Sequence, residues 1–131
     1  MTGITDAVDA VQEVAAEVTP VPATFDRVAT AAEVKARLDW GEPALTIIDV
    51  RDRESFNNER IMGAVSMPLS ELTDRIELES NRDIYVYGAS ESETAGAATQ
   101  LEGAGFERVS AIEGGLSAWK AAGGPTEGRN A

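Results

Sequence analysis

The chain contains no cysteine and no histidine. The first absence excludes a disulfide, a thiolate nucleophile and a sulfur-bound zinc site. The second removes the side chain best suited to move protons near neutral pH. Any metal would need an all-oxygen site, and no calcium-loop spacing is present; neither metal nor cofactor is expected. Lysine occurs only at Lys35 and Lys120, so amine catalysis has little to work with. No apolar run approaches the roughly 18 residues of a membrane span. Residues 1–24 hold no basic residue at all, so a secretory leader with its basic start is not expected and a cytoplasmic location is.

What is present is acid. The 131 residues carry a net charge of −12 with 43% hydrophobic content. That apolar fraction suffices for one soluble domain with a core. A field of this sign repels phosphate backbones and anionic lipid, so neither nucleic acid nor membrane is an expected partner. A protein partner with a basic surface fits better.

Residues 1–24 form a separate acidic extension. Ile4, Val8, Val11, Ala15 and Val18 fall at helical spacing as one narrow apolar stripe. Thr19-Pro20-Val21-Pro22 ends any helix. The stripe residues are small, which predicts a weakly packed or flexible segment.

From Phe25 the pattern alternates strand and helix. Phe25–Val28 reads as a short edge strand. Thr30 and Glu33 fit a capping box for a helix ending near Trp40-Gly41. The apolar run 45–50 reads as a strand covered on both faces. One or two helical turns follow over 53–58, then a strand over 64–68, and a helix capped by Ser70 running through Ile76. Residues 83–87 and 108–112 read as two further strands. Between them an alanine-rich helix runs to Leu101, with Gly103 and Gly105 as stop signals. The last helix covers 116–123. This alternation predicts an α/β domain with a mostly parallel sheet. Its ligands would sit at the carboxyl ends of the strands, where Asp49-Val50-Arg51, Gly88 to Thr94 and Glu113-Gly114-Gly115 all fall.

The segments IIDVRDRESF, RIMGAVSMPL, AAxxL before a glycine turn, GFERVSAIEGGLSAW and AGGP occur in this order. Together they resemble the rhodanese homology domain over residues 25–125, with 126–131 left as a flexible tail. The resemblance implies a rhodanese-like fold: a mostly parallel five-stranded sheet with helices on both faces. It also implies sulfur transfer through a cysteine in a loop of the form Cys-x-x-Gly-x-Arg-Ser. On this chain the loop is Gly88, Ala89, Ser90, Glu91, Ser92, Glu93, Thr94. Gly88 stands in the cysteine place, Glu91 in the glycine place, Glu93 in the arginine place and Thr94 in the serine place. Arg60 and Met62 stand where the family has histidine and proline. Asp49 and Arg51 match residues that support the loop.

The nucleophile is therefore missing and the loop's charge is reversed. Ser90 and Glu93 also fit a capping box, so the loop's own side chains would take up the free N–H groups. Glutamate in a first helical turn is ordinary helix design as well. Ser90, Ser92 and Thr94 have no base to activate a hydroxyl. Three readings stand. The domain is catalytically silent and works by binding. Or it is a sulfurtransferase whose cysteine was removed by engineering or comes from a partner. Or it is an acidic module for cations or basic peptides.

Overall fold

The computed structural model describes residues 26–39, 45–72 and 78–131. The acidic extension 1–24, Phe25 and the helix end expected at Trp40-Gly41 lie outside the described residues.

Five strands form one parallel sheet: β1 (Val28–Ala29), β2 (Leu45–Asp49), β4 (Val65–Ser66), β5 (Asp83–Tyr87) and β6 (Val109–Ile112), in the order β1-β6-β5-β2-β4. β2 and β5 run side by side in register from Leu45 opposite Asp83 to Asp49 opposite Tyr87. Side chains alternate across this pair, as the pleat requires. Ile47 and Tyr85 enter one core with Val34, Ile112 and Trp119. Ile48, Ile84 and Val86 enter the other with Ala97, Ala98 and Leu101. Both strands are thus covered twice, which is why each reads as an unbroken apolar run.

Four α-helices occur among the described residues. Helices α1 (Ala31–Asp39) and α4 (Gly115–Ala121) cover the Trp119 side, and α3 (Glu91–Gly103) covers the other. Helix α2 (Arg53–Asn58) begins at the carboxyl end of β2, with Asp52 accepting from Ser55 N at 2.8 Å as its cap. The capping box at α1 forms as expected: Thr30 Oγ1 accepts from Glu33 N at 3.1 Å. Helix α3 closes in a Schellman turn. Phe106 N donates to Leu101 O and Gly105 N to Glu102 O, each at 3.1 Å. Gly105 takes the left-handed φ of +102° that this turn needs. Phe106 then packs back beside Leu101 in the core.

Three expectations shift. The strand expected over 64–68 is reduced to two residues, although Met67 N still donates to Asp49 O at 2.9 Å before Pro68 stops the ladder. Ser70, expected at the start of a helix, sits inside a 3-10 turn, Leu69–Glu71, and the rest of that expected helix, residues 73–77, lies outside the described residues.

The third concerns residues 126–131, expected as a flexible tail. Here β7 (Thr126–Glu127) pairs antiparallel with β3 (Arg60–Ile61), a second small sheet absent from the sequence reading. Beyond it Arg129 N and Asn130 N donate to Asn57 O and Asn58 O at 2.9 and 2.8 Å. Those carbonyls end α2, where the helix itself offers them no donor. Gly128 makes the approach possible. Its φ is +129°, and a Cβ there would lie 2.7 Å from Asn58 O.

Candidate functional site

The carboxyl ends of β2, β5 and β6 bring the three expected stretches together. They wall a cleft of about 310 Å³ lined by Arg51, Ser55, Gly88, Glu91, Thr94 and Gly114 among others.

Asp49 is fully buried at the end of β2. Its carboxylate accepts from Arg51 through Nε at 3.0 Å and Nη2 at 2.7 Å, a two-pronged bond, and from Arg51 N at 3.0 Å. The same guanidinium donates to Glu59 O at 2.6 Å and lies 5.5 Å from the centre of the Tyr87 ring. The pair braces the cleft floor rather than presenting a free cation, and its geometry is of the strong, bidentate kind.

Tyr87 completes this unit, and nothing in the sequence marks it out beyond its place at a strand end. Its hydroxyl accepts from Ile61 N at 3.1 Å. Burial, with the Asp49 charge behind it, holds that hydroxyl well above the usual tyrosine range.

The 88–94 loop is closed on itself. Ser90 is the cap of α3, its Oγ accepting from Glu93 N at 3.1 Å. Glu93 reaches back one residue further than a standard box, and its Oε1 accepts from Ala89 N at 2.9 Å. Thr94 Oγ1 accepts from Gly88 N at 2.8 Å and donates to Ser90 O at 2.9 Å. Glu91 leaves the loop altogether, and its Oε1 accepts from Gly114 N at 2.9 Å across the cleft. Ala89 and Ser92 are both exposed, Ala89 at the lining of the cleft.

Gly88 is buried, and its φ is not positive. Its small size therefore has a steric cause and not a conformational one. A Cβ at this position would lie 2.8 Å from Glu93 Oε1 and 3.0 Å from Glu93 Cγ. The side chain of Glu93 fills the space in which any residue other than glycine would begin.

Arg60 and Met62 stand away from this cleft. Arg60 stacks on Phe56 at 4.5 Å and donates to Phe56 O and Glu127, while Met62 is solvent-exposed. Trp119 and Phe106 are core residues, Trp119 Nε1 donating to Pro125 O at 2.8 Å. Among the described residues no cluster of three or more acidic side chains could hold a metal, and no helix is long and apolar enough to cross a membrane.

The sequence profile of the rhodanese-like domain family matches residues 30–122. The crystal structure of the Alr3790 protein from Anabaena sp. is 57% identical and superposes with a TM-score of 0.75, covering 76% of this chain and 91% of that one. Among curated proteins, the HTH-type transcriptional regulator Rv0324 of Mycobacterium tuberculosis is 37% identical over 101 residues, which is 75% of this chain and 43% of that protein. Thiosulfate sulfurtransferase GlpE of Tolumonas auensis is 31% identical over 81 residues, 60% of this chain and 74% of that protein. The chain spans about half the length of the curated relatives it matches first.

Proposed function

This chain belongs to the rhodanese-like domain family, and we propose that within it the domain is catalytically silent and acts by binding a protein with a basic surface at the 88–94 loop. The observation that carries this reading is the Glu93 side chain. It supplies the acceptor for Ala89 N and occupies the room a side chain at position 88 would need. A sulfur carrier at 88 is therefore missing, and any side chain there would first have to displace Glu93.

The loop's outer rim is formed by Ala89, Ser90, Glu91 and Ser92, all exposed. Neutral hydroxyls beside a carboxylate suit lysine, or arginine where the carboxylate is met through two bonds. Rim charges of this kind speed association more than they slow dissociation. A relative named as a transcriptional regulator is in keeping with a domain of this family in a regulatory protein. The name of GlpE favours the competing reading, in which a partner's cysteine completes a sulfurtransferase site. Such a sulfur would enter a cleft edged by Glu91, whose charge opposes an anionic persulfide.

The test joins two measurements. Sulfur transfer from thiosulfate to cyanide should not exceed the buffer control, with or without cell extract as a source of partner thiols. A captured partner should associate more slowly with the Glu91→Gln, Glu93→Gln variant, with a flatter salt dependence. Turnover in the first arm would overturn the silent reading. Unchanged association in the second would move the binding surface elsewhere.

A further inference from the structure

Two bonds of the cleft differ in kind. At the floor the walls meet backbone to backbone: a Cβ on Gly115 would lie 3.3 Å from Gly88 O, so the loop after β5 and the turn after β6 already touch. At the rim they are joined by one side chain, Glu91, whose Oε1 accepts from Gly114 N 23 residues away. Glu91 is exposed, and Gly114 is exposed at the start of α4 with no side-chain cap of its own. Gly114 and Gly115 both have left-handed φ, +78° and +57°. A Cβ on Gly114 would also lie 2.5 Å from Ala118 Cβ. Backbone bonds hold the turn on either side, Glu113 N donating to Ala29 O at 2.8 Å and Ala118 N to Gly114 O at 3.2 Å, and Glu91 is the side chain that fastens Gly114 N at the rim.

From this geometry we propose that Glu91 is a strap: its carboxylate holds the rim of the cleft shut, and the free domain exchanges between a strapped state and an open one in which Gly114 parts from the 88–94 loop at the rim, while Glu113 stays bonded to β1 and Gly115 stays against Gly88. The inference concerns the free domain and goes beyond the binding reading, which needs no motion. A single bond to a carboxylate at an exposed site biases such an equilibrium by roughly tenfold. A group that binds the Glu91 carboxylate removes the strap, so it shifts the population toward the open cleft. Glu93 and Thr94 do not take part. Their bonds to Ala89 N and Gly88 N lie within one loop and hold in both states.

Amide hydrogen exchange tests this on the whole chain. In Glu91→Ala the Gly114 amide should exchange roughly tenfold faster than in the parent, while the Gly88 amide keeps its rate. A neutral soluble nitroxide should then broaden the Gly115 and Ser117 amide signals more in the variant. Glu91→Gln retains an acceptor oxygen without the charge, so it should restore slow exchange and weak broadening. Three results would overturn the strap. One is an unchanged Gly114 rate in Glu91→Ala. Another is a Glu91→Gln variant as fast as Glu91→Ala, which would assign the effect to local charge alone. The third is equal broadening in all three proteins.

Discussion

Gly88 and Glu93 are fitted to one another: the space beside the glycine's Cα is occupied by the glutamate's carboxylate, 2.8 Å from where a Cβ would stand. The residue pair that reverses the loop's chemistry is thus also a single packing unit. Gly88→Ala should destabilise by about 1–2 kcal/mol through crowding. In a Glu93→Ala background the same change should cost little. Urea unfolding of the four proteins of this cycle gives the coupling, expected at about 1 kcal/mol or more. Additive effects would mean that the glutamate simply turns away.

A thiol placed at this position should be unreactive for two reasons. Gly88→Cys would push against Glu93, and it would face Glu91 and Glu93, while Arg51, which lines the same cleft, is already paired with Asp49. Its reaction with a neutral disulfide reagent should rise only at alkaline pH. Adding Glu91→Gly and Glu93→Arg removes both obstacles, and the midpoint of that pH profile should fall by about 1 unit or more. Equal midpoints would refute the electrostatic half of the argument.

Asp49, at the buried end of its strand, holds the Arg51 guanidinium, which in turn lies against the Tyr87 ring. Asp49→Asn leaves a guanidinium beside a neutral amide in a desolvated place. The loss should be about 3 kcal/mol, in the range for breaking one side of a buried pair. Differential scanning calorimetry would register it as a drop of well over 5 °C for a domain of this size, at roughly 4–8 °C per kcal/mol.

Both tyrosines, Tyr85 and Tyr87, have hydroxyls held above their ordinary range, in each case first by burial. The sign of the pH effect follows. Above a pH of about 10 the unfolded chain's tyrosines ionise while the folded ones keep their protons. Stability that is complete at neutral pH is therefore lost as pH rises through and beyond that value. Tyr87→Phe should flatten this alkaline loss when unfolding free energy is followed by denaturant titration at several pH values. The variant should also be less stable at neutral pH by about 1–3 kcal/mol, because Ile61 N loses its acceptor.

Much of this was legible before any coordinates. The parallel α/β frame followed from apolar runs at 45–50 and 83–87, because strands covered twice leave a continuous signature. The cap of α3 followed from Ser90, since capping is a matter of residues three apart, and α2 fills the one or two turns expected over 53–58, while its cap, Asp52, emerged only in the structure. The meeting of 49–51, 88–94 and 113–115 at the strand ends was legible too, but the individual bonds across it were not. Nothing near Glu91 announces Gly114, and the two-residue strands 60–61 and 126–127 are too short for any period. The glycine at 88 was legible only as a missing cysteine. Its usual virtue is conformational, and here its backbone is ordinary while its lack of a side chain is what counts.

Gly128 is the reverse case, with both an extreme φ of +129° and a Cβ position 2.7 Å from Asn58 O. Gly128→Ala should detach residues 128–130 from the end of α2 and cost about 1–3 kcal/mol. Faster exchange of the Arg129 and Asn130 amides, with the sheet amides unaffected, would locate the damage.

That small sheet also has a kinetic meaning. Glu127 meets Arg60 across 67 positions of sequence, a wide loop to close for two residues of ladder. Such a pairing gains little until the parallel sheet has already brought its ends together, so it forms late, after the rate-limiting step. Interactions made after the barrier govern escape from the native state and leave the approach to it alone. The final residues of the described fold thus act on how long the domain stays folded, and scarcely at all on how fast it gets there.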